Sequence, residues 1–528
     1  MLLETSFFAP TQFDLIDNLI AEYKGQRNCL ETVSASIQDN LHVMHHFMYG
    51  NAEERRGFVN DMNRQFNLDN AVRSLNATYW NKALDLTDVK EYMPQGRRDE
   101  WNEQIRKMET PEFNDETVRP TLTALLNSRQ TFFAERVDGI FRGLSRDHVT
   151  NRPEGFGKRM IISNVFDQWG TICYRVSGLI EDLQKVIAKF MGRDEPNRNM
   201  VQKALNYART YKTGEWVPMD GGSIRVRAYL KGTVHIEIHP ELAWRLNSVL
   251  AYLYPTAIPS EFRVKPKRKL KSFTLIDELI PFKVLGAIEN LRKAPTQTRY
   301  DFTPYTTNVY NRMMPFTDDK DLIRKVREVL TAIGGVSVMT GKNKNVEIIE
   351  FDYDPSEVIA ELITTGTLPE RKSHQFYPTP DSIVDQLIEE ADIQEGHRVL
   401  EPSAGQGNIA LRAGDNVQCV EISKLHCTIL ESKGLNVINS DFIEWAEKTT
   451  ERFDRVVMNP PFSEGRAKYH VETAAGLLVS GGKLVSVVPV GCKDKIAVEG
   501  CTVRYTQVFK RAFANASVDT LLVIIEKA

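Results

Sequence analysis

From residue 376 onward, short apolar runs alternate with amphipathic segments, and this alternation constrains the fold more than any other feature of the sequence. Runs rich in Val, Ile and Leu predict strands, while apolar residues spaced three and four apart predict helices. The predicted strands are 397–401, 416–421, 435–438, 453–458, 483–489 and 517–526. The predicted helices are 381–391, 423–433, 441–448, 466–479 and 502–512. Such alternation predicts a parallel sheet with helices on both faces and the strand at 397–401 first and central.

The residues before 376 follow different patterns. Residues 11–135 place apolar side chains at helical spacing, and residues 136–215 indicate helices mixed with loops. Residues 224–238 alternate apolar and polar side chains around the turn Lys231-Gly232, which predicts a β-hairpin. A helix is predicted over 241–252, where Pro255 follows its end.

Together these patterns predict an α/β protein with three parts. Residues 1–262 form a mainly helical N-terminal domain with a β-hairpin, which is a candidate for DNA recognition. Residues 263–370 form a basic linker and a small α/β connecting module with helices at about 320–333 and 356–364. Residues 371–528 form a Rossmann-like α/β domain at the C-terminus.

Composition excludes several classes of protein. No apolar run of about 18 residues occurs and the N-terminus lacks the features of a secretory signal, so a cytoplasmic protein without membrane spans is predicted. The six cysteines include no Cys-x-x-Cys pair, which indicates reduced thiols. His42, His45 and His46 have no further ligand at metal-binding spacing, so no metal site is predicted.

The net charge of −3 gives no indication of a nucleic-acid partner, but one short segment is strongly basic. Its cations lie within nine residues that contain no acid: Arg263, Lys265, Lys267, Arg268, Lys269 and Lys271. Such a cluster predicts contacts with phosphates, or else a solvated linker.

The strand at 397–401 is followed by a turn suited to a nucleoside cofactor. Ligands of open α/β sheets bind beyond the carboxyl ends of the strands, and Gly405 and Gly407 let the backbone approach a ligand closely. Glu421 ends the second strand, where a carboxylate can accept both hydroxyls of a ribose. Asp441-Phe442 follows the third strand and suits the amino edge and ring face of adenine. Glu421 as a surface strand end and Asp441 as a helix N-cap are the alternatives.

This residue set fits S-adenosylmethionine better than a phosphate-bearing cofactor, because a third glycine and a helix-borne lysine are missing. The sulfonium of S-adenosylmethionine also favours acidic surroundings such as Glu401. The predicted cofactor-binding residues are Tyr377, Thr379, Glu401, Pro402, Gly405, Gly407, Glu421, Ile422, Asp441 and Phe442.

The strand at 453–458 ends in a rigid polar and aromatic segment that suits a planar amine. The Asn459 side-chain oxygen and the Pro460 carbonyl could both accept hydrogens of an exocyclic NH2 group. Phe462 could stack on the ring that carries this group. The predicted catalytic residues are therefore Asn459, Pro460, Pro461 and Phe462, with methyl transfer to nitrogen as the reaction. A proline-stiffened loop after a strand is the alternative.

With these motifs, the C-terminal region resembles the adenine N6 DNA methyltransferases of restriction–modification systems. The resemblance is to the group with the motif order Thr379-Pro380, Glu401-Pro402-x-x-Gly405-x-Gly407, then Asn459-Pro460-Pro461-Phe462. It implies a class I methyltransferase fold, S-adenosylmethionine as cofactor and DNA as partner. Cofactor contacts are implied at Thr379, Glu401, Gly405, Glu421, Asp441 and Phe442, and base contacts at Asn459, Pro460 and Phe462.

The whole chain also resembles phage- and plasmid-borne methyltransferases with an N-terminal helical domain of unknown function. In the first group a target-recognition domain follows the Asn-Pro-Pro motif, whereas here only residues 463–528 remain after it. We therefore expect target recognition from residues 1–370 or a partner, and a closing hairpin that lacks a strand.

The leading hypothesis from sequence is an adenine N6 DNA methyltransferase that flips its target base. Methylation of an RNA adenine or of a protein glutamine amide is the alternative within the same chemistry. A DNA-binding protein that blocks host defence and carries a relic catalytic domain is the alternative from a different class.

Overall fold

The structure is a computed structural model that divides into two compact units. Unit 1 comprises Met1–Ser163, Gly178–Leu183 and Pro240–Lys269, and unit 2 comprises Asn164–Ser177, Gln184–His239 and Leu270–Ala528. The residues that the structure describes are 13–43, 46, 66–145, 155–156, 159–197, 199–266, 273–276, 278–295, 308–340, 346–368, 377–513 and 518–528.

Unit 1 is mainly helical, which confirms the prediction for the N-terminal region. An aromatic cluster that includes Tyr23, Trp80 and Phe113 forms its core. The buried Asn76 Oδ1 accepts hydrogen bonds from Tyr23 Oη (2.7 Å) and Phe113 N (3.1 Å), so the polar group inside this core is satisfied. The helices are Phe13–Asp39, Leu68–Asp85, Val89–Tyr92, Gln95–Lys107, Asp115–Asn127, Arg129–Ser145 and Pro240–Leu253. The described residues of the unit also include the strand Met160–Ile162 and the 3-10 helix Ser260–Arg263.

The first part of unit 2 contains the predicted β-hairpin. Strands Ile224–Ala228 and Val234–Ile238 pair antiparallel, with Ile224 opposite Ile238, and this pairing confirms the hairpin. Strand Val217–Met219 pairs with the first of them. The helix Met200–Thr210 precedes these strands, and the helix Tyr174–Phe190 contributes residues to both units.

A small α/β module follows in unit 2 and shares a core with the C-terminal domain. Its helices are Phe282–Glu289, Lys320–Ala332 and Ser356–Thr365, and its antiparallel strands are Arg312–Met313, Val336–Thr340 and Val346–Glu350. Leu330 and Leu362 from this module lie in one buried apolar cluster with Met200, Leu425 and Ile429. The module and residues 377–528 therefore pack together through a continuous core.

The C-terminal domain is built on a seven-stranded sheet. Its strands are β1 Val399–Pro402, β2 Val417–Glu421, β3 Asn436–Asn439, β4 Phe453–Met458, β5 Leu478–Pro489, β6 Cys501–Tyr505 and β7 Thr520–Lys527. The helix Asp381–Ala391 precedes β1, and the helices Lys424–Ser432, Phe442–Ala446 and Arg466–Ala475 lie between later strands. Two buried apolar clusters cover the sheet, and Val457 and Val485 belong to one whereas Met458 and Leu484 belong to the other. The domain is Rossmann-like, as the strand–helix alternation predicts.

The strand order across the sheet is β3-β2-β1-β4-β5-β7-β6. The pairs up to β5 are parallel, while β7 is antiparallel to both β5 and β6. The sheet is therefore mixed. The predicted parallel arrangement is confirmed for the five strands from β3 to β5, whereas β7 is antiparallel to its neighbours. The order reverses between β1 and β4, so the carboxyl ends of these strands mark the switch point at which ligands of such sheets bind.

The helix predicted over residues 502–512 does not form. The predicted helix is instead β6 over Cys501–Tyr505, which pairs with β7 and puts Val503 opposite Ile525. Thr502 and Arg504 are exposed while Val503 and Tyr505 are partly buried, which is the two-residue period of an edge strand. The prediction of an incomplete closing hairpin is therefore wrong too.

Within the described residues, no helix is both long and apolar enough to cross a membrane.

Candidate active site

A pocket opens at the switch point of the sheet, beyond the carboxyl ends of β1 and β4. Residues from both predicted halves of the site line it. Its walls include Tyr377, Thr379, Glu401, Gly405, Gln406, Glu421, Ile422, His426, Asp441, Phe442, Asn459, Pro460, Pro461, Phe462, Arg466 and His470. The structure thus brings together all the predicted site residues of the C-terminal domain except Pro402 and Gly407.

The turn after β1 needs a backbone conformation that most residues avoid. Ser403, Gly405 and Gly407 have φ angles of 59°, 56° and 81°. A Cβ on Gly407 would lie 2.8 Å from side-chain atoms of both Leu430 and Leu435. Gly407 therefore allows close packing beneath the turn, while Ser403 and Gly405 line the pocket. Pro402 is buried at the end of β1.

Gln406 anchors this turn to the small α/β module. Its side chain is 6% exposed, and Nε2 donates a hydrogen bond to the carbonyl oxygen of Ala332 at 2.6 Å. Ala332 ends the helix Lys320–Ala332, so the bond also satisfies a carbonyl group at the end of that helix. The glycine turn of the pocket is thereby fixed by an element 74 residues earlier in the chain.

Replacing Gln406 with alanine is expected to weaken binding of S-adenosylmethionine about 2- to 10-fold, because one buried hydrogen bond that holds the turn is lost. Calorimetric titration of the full chain measures this change. The matched control is Gln394→Ala, since Gln394 is exposed and its Nε2 bonds Asp392 within a turn that precedes β1. Equal affinities of the two variants for the cofactor would contradict the anchoring role of Gln406.

Glu421 ends β2 and holds two backbone amides of the pocket in place. Its Oε2 accepts a hydrogen bond from Gly405 N and its Oε1 accepts one from Ser423 N, both at 2.8 Å. The carboxylate thus joins the glycine turn of β1 to the start of the helix Lys424–Ser432. Each carboxylate oxygen has further lone pairs, so the predicted contact with ribose hydroxyls is compatible with these bonds.

Glu401 is the most unusual group in the pocket. It is 2% exposed, and its Oε2 has no hydrogen-bond partner among the described residues. Burial raises the pKa of Glu401 well above its ordinary value, the Ala410 backbone amide lowers it, and the nearby Glu421 raises it further. A buried carboxylate oxygen without a partner is costly, so it suits a ligand that brings a positive charge or a donor.

Asp441 and Phe442 have structural roles as well as positions on the pocket wall. Asp441 is the N-cap of the helix Phe442–Ala446, and its Oδ1 accepts bonds from Ile443 N and Glu444 N. Phe442 is 3% exposed and its ring centroid lies 5.5 Å from that of His470. The N-cap alternative from the sequence is therefore present, while Oδ2 of Asp441 takes no part in the cap bonds.

Asn459 is held in one orientation at the end of β4. Its amide nitrogen donates to Thr379 Oγ1 at 3.0 Å and to the carbonyl oxygen of Tyr377 at 3.3 Å. The side-chain oxygen is consequently left as an acceptor at the pocket. Phe462 is partly buried and packs edge-on against Phe513, with ring centroids 6.2 Å apart.

Gln406, His426, Arg466 and His470 line the pocket but were not predicted from sequence. Burial lowers the pKa of His470, Asp441 opposes this shift and Arg466 adds to it, so the imidazole is mainly neutral at pH 7. Gln406 stands between the two predicted glycines, and its position there was the only available signal.

The predicted basic strip is described only in part. Lys267, Arg268, Lys269 and Lys271 lie outside the described residues. Arg263 ends the 3-10 helix Ser260–Arg263 of unit 1, and Lys265 lies 3.5 Å from Glu241.

In the group formed by His42, His45 and His46, His45 lies outside the described residues. Among the described residues, no three side chains of His, Cys, Asp or Glu are placed to share a metal ion.

Two family models match parts of the chain. Residues 385–512 match the methyltransferase small domain, and residues 72–256 match a domain of unknown function (DUF4942). No curated protein matches. The first match and the Rossmann-like fold support an S-adenosylmethionine-dependent methyltransferase.

Three solved methyltransferase structures with different named activities have low similarity to the chain. TrmN from Thermus thermophilus is 19% identical with a TM-score of 0.25, over 41% of this chain and 69% of that one. A dimethyladenosine transferase from Plasmodium falciparum is 18% identical with a TM-score of 0.25, over 29% and 64%. A precorrin-6y C5,15-methyltransferase from Geobacter metallireducens is 14% identical with a TM-score of 0.24, over 29% and 91%. At these values the likenesses assign no substrate.

The pocket residues fit the chemistry of S-adenosylmethionine. The unpartnered Oε2 of Glu401 suits a cationic group, and Glu421 and Asp441 supply acceptors for hydroxyl and amino groups. Ile422 is 52% exposed at the pocket wall, where its apolar surface suits a flat ring.

Proposed function

We propose that this protein transfers a methyl group from S-adenosylmethionine to the exocyclic N6 amine of adenine in DNA. The observation that carries the proposal is the orientation of Asn459 in the same pocket as Glu401. The Asn459 amide nitrogen is bound by Thr379 and Tyr377, which leaves the amide oxygen to accept a hydrogen bond from a substrate amine.

The target nitrogen is a weak nucleophile because its lone pair is delocalised into the ring. Two acceptors aimed at its hydrogens, Asn459 Oδ1 and the Pro460 carbonyl oxygen, favour a tetrahedral nitrogen and free the lone pair for bonding. Pro461 stiffens the segment, which keeps these acceptors in place. Once methylated, the nitrogen is acidic and water can take its proton, so no strong base is required.

The cofactor supplies an electrophilic methyl group on a positively charged sulfur. Glu401 would offset the positive charge, Glu421 would accept the ribose hydroxyls, and Asp441 would accept the adenine amino group. Ile422 and Phe442 would enclose the cofactor's ring. The Gly405 turn, held by Glu421 and Gln406, lets the backbone approach the cofactor without a clashing Cβ.

Phe462 would hold the target base by stacking on it. Its contact with Phe513 fixes one edge of the ring while the side chain stays partly exposed. A base within duplex DNA reaches such a pocket only after leaving the stack. The Asn-Pro-Pro-Phe motif with Thr379-Pro380 upstream supports adenine in DNA over the other planar amines, an RNA adenine or a glutamine amide.

The direct test is analysis of DNA from cells that express the protein, with cells expressing the Asn459→Ala variant as the control. Digestion to nucleosides and mass spectrometry are expected to show N6-methyldeoxyadenosine only with the unchanged protein. Methyl groups found on RNA adenine or on protein glutamine instead would contradict DNA as the substrate. Failure of the purified chain to bind S-adenosylmethionine would favour a relic catalytic domain.

A further inference from the structure

Two loops beside the target half of the pocket carry a surplus of exposed cations. β5 ends at Pro489, which pairs with Thr520 at the start of β7, and β6 ends at Tyr505 near the same edge of the sheet. The described residues of the loops that follow β5 (490–500) and β6 (506–513 and 518–519) therefore lie at the carboxyl edge, where β4 presents Asn459. We call their cations, together with Arg466 at the pocket wall, the cationic rim: Arg466, Lys493, Lys495, Lys510 and Arg511.

The two loops are tied to each other. Asp519 Oδ1 accepts a hydrogen bond from Arg511 N at 2.9 Å, and the Asp519 carbonyl oxygen accepts one from Val490 N at 3.1 Å. Phe513 of the second loop packs against Phe462 of the catalytic motif. The loops and the motif therefore form one connected surface around the target half of the pocket.

The four rim cations in the two loops are available to a partner. Lys493, Lys495, Lys510 and Arg511 are exposed, and no carboxylate lies within ion-pair distance of them in the described part of the chain. Asp494 and Glu499 are the exposed acids of the first loop, while the Asp519 carboxylate already accepts a bond from a backbone amide. The first loop has two cations and two acids, and the second has two cations and one acid, so the surplus of the two loops is one charge, whereas the whole chain has a net charge of −3.

Arg466 connects this surplus to the pocket itself. It starts the helix Arg466–Ala475 and lines the pocket, and its positive charge lowers the pKa of His470. Burial raises the pKa of the Cys492 thiol, and Lys495 and Lys468 both oppose this shift, so the first loop and this helix place their cations near one thiol.

We propose that the cationic rim binds the phosphodiester backbone of the DNA strand that carries the target adenine. This inference rests on the proposed function, and it places a DNA contact within the C-terminal domain rather than only in the basic strip at 263–271. Phosphates flank every base at short spacing, so cations on the Phe462 side of the pocket can hold the backbone on either side of a flipped nucleotide.

The test uses the full chain with Lys493→Gln and Lys495→Gln combined. The matched control combines Lys448→Gln and Arg452→Gln, which removes two exposed cations that precede β4 at the opposite edge of the sheet. Binding of a fluorescent DNA duplex is followed by anisotropy between about 50 and about 200 mM salt. The rim variant is expected to bind about 10-fold more weakly, with a log–log salt slope smaller by about 2, at unchanged affinity for S-adenosylmethionine.

In turnover with the same duplex, the rim variant is expected to raise KM for DNA and to keep kcat. A second pair, Lys510→Gln with Arg511→Asn, is expected to act in the same way, because Asn tolerates the left-handed backbone at Arg511 (φ 46°). If both rim variants had the same DNA affinity and salt slope as the control, the proposed role of the cationic rim in DNA binding would be overturned. The proposed function would remain intact. Absence of N6-methyldeoxyadenosine with the unchanged protein would overturn both.

Discussion

Replacing Asn459 with alanine is expected to lower kcat by about 100- to 1,000-fold while the affinity for S-adenosylmethionine changes little. The size follows from the loss of one preorganised acceptor at the reacting nitrogen, which is comparable to the loss of one donor from an oxyanion hole. Cofactor affinity is preserved because the residues suited to the cofactor, such as Glu401 and Glu421, lie on the neighbouring strands β1 and β2. Single-turnover methylation with radiolabelled cofactor and calorimetric titration measure the two quantities.

The structure also predicts how other changes at this site should rank. Thr379→Val removes the hydroxyl that receives the Asn459 amide at 3.0 Å, so the side chain is less firmly oriented. A smaller loss in kcat of about 5- to 12-fold is expected, in line with a net hydrogen bond of about 1 to 1.5 kcal/mol. Asn416→Ala is the control, because Asn416 precedes β2 at the opposite edge and bonds the His397 carbonyl oxygen. Full activity of Asn459→Ala would exclude the acceptor role.

Where a motif ends a buried strand, the sequence correctly predicted that its side chains would meet at one edge of the sheet. Glu401, Glu421 and Asn459 each follow an apolar run, and a parallel arrangement of β1, β2 and β4 necessarily brings their carboxyl ends to one edge. Motif order and strand alternation therefore sufficed to place these side chains around one pocket. The N-cap bonds of Asp441 show that a local structural role and a place on the pocket wall can belong to one residue.

The sequence failed where pairing decides the structure over a short stretch. The segment that contains Thr502, Val503 and Tyr505 is too brief to distinguish a helix from an edge strand by periodicity alone. Pairing with β7 then decides, because it satisfies the backbone of both strands and buries the side chain of Val503 against the sheet. This misassignment also hid the carboxyl-edge position of the second rim loop.

Contacts between distant segments could not be predicted. The bond from Gln406 to Ala332 joins the glycine turn to a helix that no motif marks as part of the site. Thr428 Oγ1, on the helix after β2, likewise bonds the buried Glu361 of the preceding module. The module predicted as a connector thus supports the pocket through these two hydrogen bonds. The local sequence pattern does not predict such contacts.

Replacing Glu401 with glutamine is expected to stabilise the protein without cofactor and to weaken cofactor binding. The change removes a buried charge whose Oε2 has no partner, yet keeps an oxygen that can accept the bond from the Ala410 amide. A gain of about 1 to 3 kcal/mol in the free energy of unfolding is expected once the pH exceeds the raised pKa of Glu401, where the native carboxylate is forced to ionise. Loss of the countercharge is expected to weaken S-adenosylmethionine binding at least about 30-fold.

The raised pKa of Glu401 determines how the stability of the protein changes with pH. Since the pKa of Glu401 is raised in the folded protein, the folded state holds this proton more tightly than the unfolded state. The stability contributed by this proton is therefore full below the ordinary carboxyl pKa of about 4.3 and is lost as the pH rises toward the raised value. The Glu401→Gln variant lacks this loss, so its advantage in unfolding free energy should grow as the pH rises through that window.

Thermal unfolding with and without S-adenosylmethionine separates the two effects. The unchanged protein is expected to have the lower Tm alone and to gain stability as cofactor is added, whereas Glu401→Gln starts higher and gains little. Glu395→Gln is the matched control, because Glu395 is exposed before β1 and its replacement should leave both curves unchanged. If the advantage of Glu401→Gln in unfolding free energy did not grow as the pH rises, this carboxylate would already be paired, which would remove the reason to assign it to a cationic ligand.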